Sequence, residues 1–340
     1  MIQPYRLVKS IKYLSGALVL LFALVGLPTA IPSTHAAASA VPSTTFSSNW
    51  SGYESTAPLG SFKKSQCSFK VPPIKSAGDV SAWCGLGGDP NVVDPTNPTQ
   101  GANNAVLVQA GMDACLNSNS CTGNCTRNVQ CNSLWWEIAD ALVVQPIRFN
   151  KKIAVGDSIY VYIESNLHNN GIDKFFLQDR TTHESHQIIA SKQGVTKDGK
   201  PTRIVGPQNG FPIVSDGGSA ECIVERPLNV GTGTFLRLTT FKSVTIFGCD
   251  DGRVNQAQLE SIASVPTVTK INMFNDANSG GNSPASNSAR QAAAGAVIVI
   301  AAPTGFSGLN IDNFTVVQPT NPQPQAKLNS IARFIDTKPG

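Results

Sequence analysis

The sequence predicts an all-β protein, folded as an antiparallel β-sandwich of two packed sheets. Three observations support this prediction. Short runs rich in β-branched and aromatic residues recur along the chain, and clusters of Gly, Pro, Asn and Asp separate them. Amphipathic helical periodicity is nearly absent. Many short strands divided by turn signals are typical of sandwich folds.

The expected strands can be placed individually. They are Val106–Gln109, Ser158–Glu164, Phe235–Thr240, Val244–Phe247 and Ala296–Ile300. The segment 197–200 (Lys-Asp-Gly-Lys) predicts a hairpin turn, because Asp-Gly tolerates the positive φ angles of such turns. The one predicted helix is short and covers Gln256–Ile262.

Residues 1–40 have the pattern of a secretory signal peptide. Three basic residues (Arg6, Lys9 and Lys12) precede an apolar run over 14–27, and Ala-rich residues follow at 36–40. A membrane anchor is the weaker interpretation, since the run is shorter than the ~20 residues that span a bilayer. We expect cleavage after Ala40 or Ala36, a secreted protein, and no membrane association after cleavage.

The remaining chain predicts a single sandwich domain over residues 41–318, followed by an extended, proline-rich tail over 319–340. Three of the 26 basic residues and none of the 22 acidic residues lie within residues 1–40, so the rest is close to neutral. A near-neutral surface gives no indication of nucleic-acid binding. We expect a monomer.

Eight cysteines follow the predicted signal peptide: Cys67, Cys84, Cys115, Cys121, Cys125, Cys131, Cys222 and Cys249. An even number in a secreted chain predicts disulfides, although spacing does not give their pairing. The group from Cys115 to Cys131 is expected to staple a local loop. A zinc site beginning at Cys121 and Cys125 is the competing interpretation, which the lack of a nearby histidine disfavours. We therefore expect no metal.

Histidine-dependent catalysis is not indicated. No histidine accompanies a G-x-S-x-G nucleophile pattern. The segment 183–186 (His-Glu-Ser-His) lacks the helical H-E-x-x-H spacing of metallopeptidases. We interpret it as a solvated hairpin.

Two segments place polar groups inside apolar strands. Residues 219–225 carry Glu221 and Glu225 four residues apart, so in a strand both lie on one face. Burying a carboxylate costs several kcal/mol unless it is partnered. Residues 106–111 set Gln109 at the end of an apolar run. By pattern alone, these groups could also face solvent on the outer side of a sheet.

Six sequence blocks carry a resemblance. They are residues 48–53 (SNWSGY), 82–89 (AWCGLGGD), 108–111 (VQAG), 135–137 (WWE), 220–225 (AECIVE) and 306–317. Their residues and their order resemble the glutamic peptidase (eqolisin) family across about residues 48–317. The resemblance implies a concanavalin/lectin-like sandwich with an active site on one sheet face.

The resemblance also implies a secreted endopeptidase that hydrolyses peptide bonds of polypeptides at acidic pH, without a cofactor. The implied catalytic pair is Gln109, as water-positioning group and oxyanion donor, and Glu225, as general base and acid. Glu221 is the first glutamate of the motif and is implied to support the pair. The further supporting or substrate-binding positions are Trp50, Trp83, Asp89, Asp113, Trp135 and Glu137.

Two departures from the family pattern leave a second interpretation open. Gly87 stands where the family usually has an aspartate, and Ser133 stands where another often lies. A sandwich with a decayed site would be a non-catalytic carbohydrate- or protein-binding module, because fold alone does not fix function.

Overall fold

The computed structural model describes residues 42–89, 106–117, 127–139, 144–166, 171–204, 215, 217–229, 234–254, 256, 258–276, 297–307, 312–320, 324–325 and 334–335. Ser39–Gly340 forms one compact unit. The predicted signal peptide and Cys121 and Cys125 lie outside the described residues. Within the described ranges, no helix has the length and apolar character needed to cross a membrane.

The described chain is almost entirely β-structure. Its strands are β1 (Ser43–Ser47), β2 (Trp50–Thr56), β3 (Phe62–Lys70), β4 (Gly78–Leu86), β5 (Val108–Leu116), β6 (Cys131–Ile138), β7 (Gln145–Ile147), β8 (Ser158–Asn166), β9 (Ile172–Asp179), β10 (Glu184–Ser191), β11 (Gly194–Lys197), β12 (Lys200–Pro201), β13 (Ser219–Glu225), β14 (Leu228–Asn229), β15 (Thr234–Phe235), β16 (Ser243–Arg253), β17 (Glu260–Ser261), β18 (Val268–Asp276), β19 (Val297–Pro303), β20 (Phe314–Val317), β21 (Pro324–Gln325) and β22 (Phe334–Ile335). A 3₁₀ turn covers Ile262–Ser264.

The strands form two packed layers. The first has the order β22–β1–β18–β2–β13–β4–β5–β6–β7, antiparallel from β18 onward. The second has the order β20–β16–β3–β8–β9–β10–β11–β12 and is antiparallel throughout. β19 pairs with β18 in one layer and with β20 in the other, so it joins them. This confirms the predicted all-β sandwich.

One edge of the first layer departs from the antiparallel pattern. β1 lies parallel to β18, and β22 lies parallel to β1. The predicted extended tail therefore contributes two short paired strands, β21 against β19 and β22 against β1.

Burial follows the layered arrangement. β8 alternates between buried and partly exposed positions, as a strand with one face on the core should. β4 is instead buried at all nine of its positions. Both faces of β4 are therefore covered, one by the core between the layers and one by side chains on the far side.

Several predicted elements are confirmed. Ser158–Glu164 lies within β8, and Val244–Phe247 lies within the longer β16. Residues 297–300 of the predicted Ala296–Ile300 strand lie in β19. The Asp-Gly hairpin joins β11 to β12, with φ values of 52° at Asp198 and 75° at Gly199.

Two predicted elements are wrong, and a third is misplaced. Gln256–Ile262 is not a helix, since β17 and the 3₁₀ turn occupy its end. Only Phe235 of Phe235–Thr240 is in a strand, because Leu238 bridges to Asp79 and leaves the segment docked against β4. The Val106–Gln109 strand begins two residues later, at Val108, and continues to Leu116.

Two disulfides connect the layers. Cys67–Cys84 joins β3 to β4, and Cys222–Cys249 joins β13 to β16. Cys115 and Cys131 are also disulfide-bonded. Because the other four described cysteines pair with one another, the partners of Cys115 and Cys131 lie within the predicted local group.

Candidate active site

The candidate site lies on the face of the first layer that points away from the core. Strand alternation identifies this face. Cys84 and Leu86 of β4 belong to the main core, whereas Trp83 packs in a separate cluster with Trp50 and Trp135. We call this second side the site face.

Strand register arranges the site face in three adjacent rows. The glutamine row is Glu54, Glu221, Gly85, Gln109 and Glu137, from β2 across β13, β4 and β5 to β6. The tryptophan row is Gly52, Ile223, Trp83, Gly111 and Trp135. The aspartate row is Trp50, Glu225, Ser81, Asp113 and Ser133. All sequence-predicted site residues except Asp89 lie in these rows.

Gln109 and Glu137 are held together in the glutamine row. Gln109 Nε2 donates a hydrogen bond to Glu137 Oε2 at 2.6 Å. The Gln109 side chain is buried, and its Oε1 accepts no hydrogen bond from any described residue. An amide nitrogen carries two hydrogens, so one N–H of Gln109 is left for a second acceptor.

Gly85 separates Gln109 from Glu221 in the same row. Glu221 Oε2 lies 3.1 Å from the place that a Cβ atom on Gly85 would occupy. Leu107 Cδ1 and Trp83 Cζ3 lie 2.9 Å from that same place. The missing side chain at Gly85 therefore gives room for the Glu221 carboxyl between β13 and β5.

Glu225 is bound by two donors in the aspartate row. Asn49 Nδ2 donates to its Oε1 at 2.9 Å, and Trp83 Nε1 donates to its Oε2 at 2.6 Å. Burial raises the pKa of Glu225 to about 8; the Trp83 and Asn49 donors offset part of this rise, while Glu137 and Asp113 add to it. Glu225 therefore holds a proton at acidic pH.

Asp113 is the second perturbed acid of that row. Its Oδ1 accepts hydrogen bonds from the Ser81 hydroxyl and, at 3.0 Å, from Trp135 Nε1. Burial raises the pKa of Asp113 to about 6, with a smaller contribution from Asp79, while both donors lower it. The two tryptophans of the middle row thus each donate to an acid of the aspartate row.

Sequence reasoning missed several residues that shape the site. Arg226 Nη2 donates to the Ser48 carbonyl at 2.7 Å, and its backbone N–H donates to the Asn49 carbonyl at 2.8 Å. These bonds fix the turn that presents Asn49 to Glu225. A two-residue period counted from Trp83 identifies Ser81 and Gly85, but nothing local in the sequence indicates Arg226.

The family departures and Asp89 have defined places. Gly87 and Gly88 follow β4 with φ values of 78° and 93°. A Cβ atom on Gly88 would lie 2.7 Å from Leu107 Cβ, so a glycine there lets Leu107 cover Gly85.

Asp89 is buried beyond the end of β4, outside the three rows. Ser133 stands opposite Asp113.

The predicted histidine hairpin belongs to the other layer. His186 of β10 contacts Asp198 at 2.7 Å and Glu184 at 3.4 Å, beside the turn that joins β9 to β10. Across the described ranges, no group of three or more His, Cys, Asp or Glu side chains is arranged to hold a metal ion.

Comparison with known proteins gives both a family and a fold. The model of the Peptidase A4 family matches residues 48–279. No individually curated protein gives a significant match to the sequence.

Among solved structures, scytalido-glutamic peptidase with a peptide-based transition-state analogue has a TM-score of 0.50 at 14% identity, covering 80% of this chain and 98% of that one. The same peptidase with a transition-state analogue inhibitor has a TM-score of 0.49 at 15% identity, with the same coverage. SCP-B of the eqolisin family, bound to the tripeptide Ala-Ile-His, has a TM-score of 0.47 at 15% identity, again with that coverage. The family match spans more than half of the chain, and this protein therefore belongs to the Peptidase A4 family of glutamic peptidases and is a hydrolase of that type.

Proposed function

We propose that this protein is a secreted acid endopeptidase in which Gln109 and a glutamate of β13 activate water against a peptide bond. Family membership supports the reaction class. The observation that supports this catalytic site is the register of the glutamine row, which aligns Glu221, Gly85 and Gln109 on three adjacent strands.

This register favours Glu221 over Glu225 as the partner of Gln109. Gln109 and Glu221 are two strand spacings apart, about 10 Å between Cα atoms, and their side chains can approach each other over Gly85. Glu225 lies four residues further along β13, which adds about 13 Å along the strand. The family resemblance implied Glu225 as the base. We propose Glu221 instead, four residues earlier on the same strand.

The surroundings of Glu225 support the same choice. Both of its oxygens already accept hydrogen bonds, from Asn49 and Trp83. Its raised pKa, about 8, keeps it neutral at acidic pH, and a neutral carboxyl cannot take a proton from water. Glu225 is proposed to position Trp83, whose ring lies against Gly85.

The proposed reaction uses a water molecule between Glu221 and Gln109. Ionised Glu221 removes a proton from the water, whose oxygen attacks the peptide carbonyl carbon. The free N–H of Gln109 stabilises the developing oxyanion; losing one such donor costs ~3–4 kcal/mol in other hydrolases. Protonated Glu221 then gives its proton to the leaving amine. Glu137 holds the Gln109 amide through the other N–H.

The proposed substrates are polypeptides in extended conformation, laid across the site face beside Trp83 and Trp135. Secretion is supported by the pattern of residues 1–40 and by the disulfides, which persist in oxidising compartments. The protein is proposed to act as a monomer, without nucleic acid or membrane.

The decisive experiment measures cleavage of a denatured protein substrate between pH 3 and pH 6. Glu221→Gln and Gln109→Ala should each remove nearly all activity while the variants stay folded, and Glu225→Gln should keep a substantial fraction. The double variant should be little worse than either single one, because residues that act as a unit are not additive. If Glu225→Gln abolished cleavage and Glu221→Gln retained it, the general base would be Glu225 and not Glu221. No cleavage by the wild-type protein would favour the binding-module interpretation.

A further inference from the structure

We propose that Glu54 and Glu221 share a single proton, so that Glu54 is a positioning residue for the base. The inference rests on the proposed role of Glu221 as that base. Glu54 is neither in the six sequence blocks nor among the predicted site residues. It enters the site only through the pairing of β2 with β13.

The strand register places the two glutamate residues side by side. Glu54 and Glu221 stand directly opposite each other in the antiparallel register of β2 and β13. Both project onto the site face, and they are 1% and 0% exposed. Directly opposite residues of antiparallel strands have Cβ atoms about 4.5–5.5 Å apart, within easy reach of two glutamate side chains.

The neighbours on the adjoining strands add no cation to this row. Thr269 of β18 stands beyond Glu54, and Gly85, Gln109 and Glu137 continue beyond Glu221. The tryptophan row beside it holds no ionisable side chain.

Among the residues that the structure describes, the charged groups considered next to the row are acids or are directed elsewhere. Glu225 and Asp113 lie on the same face in the aspartate row, and Asp89 lies buried beyond β4. Lys270 is adjacent to Thr269 on β18 and so alternates to the opposite face. Arg226 is directed at the Ser48 carbonyl. Two adjacent buried carboxyl groups cannot both ionise at low cost, so one retains its proton.

The acceptor side of the Gln109 amide fits the proposed water beside the Glu221 carboxylate. Its Oε1 is in a side chain only 7% exposed and accepts no hydrogen bond from a described residue. Its Nε2 donates to Glu137, so the amide oxygen Oε1 points away from Glu137. A buried acceptor calls for a donor proton. The water molecule that the proposed reaction places between Glu221 and Gln109 supplies it.

The shared proton has a defined place in the reaction. In the working form Glu54 is protonated and donates its hydrogen bond to the Glu221 carboxylate. When Glu221 takes a proton from water, a carbon–oxygen bond forms at the carbonyl and the pair holds two protons. The pair returns to one proton when Glu221 protonates the leaving nitrogen and the carbon–nitrogen bond breaks. Glu54 acts only through Glu221.

The test compares the acid limb of the pH–rate profile in Glu54→Leu and Glu54→Gln. A hydrogen bond to the charged form lowers the pKa of a carboxyl group, so Glu54→Leu should move the limb to higher pH by about one pH unit. Glu54→Gln keeps a donor and should stay within about half a pH unit of the wild type. Ser55→Ala, on the same strand and fully buried on the opposite face, is the matched control and should not move the limb. An unmoved limb in Glu54→Leu, or an equal displacement in both variants, overturns the proposal.

An infrared measurement detects the shared proton directly. It depends neither on activity nor on whether Glu54→Leu folds. Above the ordinary glutamate pKa of about 4.3, the wild-type minus Glu54→Gln difference spectrum should contain one carboxylic-acid carbonyl band. The other buried acids cancel in this difference. Absence of the band overturns the shared proton. If the wild-type protein cleaves no substrate but the band is present, the peptidase proposal fails and the shared proton stands.

Discussion

Trp83 donates its indole N–H to Glu225 Oε2 at 2.6 Å, and this bond joins two rows of the site face. The Trp83 ring also lies against the open position at Gly85. One side chain thus contacts both the buried acid of the aspartate row and the gap between Glu221 and Gln109. Its orientation therefore depends on Glu225, whose carboxyl group accepts one hydrogen bond from Trp83 and one from Asn49.

Trp83→Phe keeps an aromatic ring but removes this donor. We expect the free energy of unfolding to fall by about 1–3 kcal/mol, because Glu225 Oε2 would lose a buried hydrogen bond. The activity should fall as well, since the ring is no longer fixed. Denaturant titration and kcat/KM measurements check both. Trp136→Phe, in the core, controls for ring size and should leave kcat/KM unchanged.

Gly85→Ala places a methyl group where Leu107 and Trp83 leave 2.9 Å and the Glu221 carboxyl leaves 3.1 Å. The Leu107 and Glu221 atoms are the ends of flexible side chains and can move, so the protein should fold at a cost of about 1–3 kcal/mol. Activity should fall about 100-fold, because small displacements of reacting groups are that costly. Gly305→Ala, which meets no atom within 4 Å, is the control. An unchanged kcat in Gly85→Ala would contradict the proposed meeting point of Glu221 and Gln109.

Stability should decrease as the pH rises from about 4 to 8. The folded-state pKa values of Glu225 and Asp113 are raised to about 8 and about 6, so the folded protein holds protons that the unfolded chain has lost. The stabilisation is complete below the ordinary carboxyl pKa values of about 4 and is lost as the pH passes the folded-state pKa values. Each pKa unit by which a carboxyl group is raised in the folded state contributes at most about 1.4 kcal/mol to the free energy of unfolding.

Glu225→Gln removes the larger of these two contributions. Its free energy of unfolding, measured by denaturant titration at pH 4, 6 and 8, should vary less than that of the wild type. A wild-type stability that increased towards pH 8 would show that other groups dominate the proton balance.

The cross-layer disulfides should resist reduction in the native protein. Cys84 and Cys222 stand opposite each other on β4 and β13, behind Gly85 and Glu221, and all four cysteines of the two bonds are at most 1% exposed. Thiol labelling after treatment with a reductant but no denaturant should find none of the four. Replacing Cys222 and Cys249 together by serine should cost about 2–5 kcal/mol. Rapid labelling under native conditions would contradict this burial.

The sequence by itself determined the all-β class and the shared face of Glu221 and Glu225. These properties follow from the two-residue period of a strand, which depends only on neighbouring residues. The Asp-Gly turn between β11 and β12 was equally local. The failed helix at Gln256–Ile262 shows the limit of such reasoning, because its short apolar pattern fits the edge pairing of β17 as well.

Only the tertiary structure decided which groups meet. The proposed choice of Glu221 over Glu225 depends on the register from β13 through β4 to β5, and a period of two is the same for either residue. Asn49 reaches Glu225 from 176 residues away, and Glu54 reaches Glu221 only because β2 pairs with β13. Cysteine pairing likewise depended on the packing of the two layers. Register and layer packing are set by long-range hydrogen bonds and core burial, which no local pattern in the sequence contains.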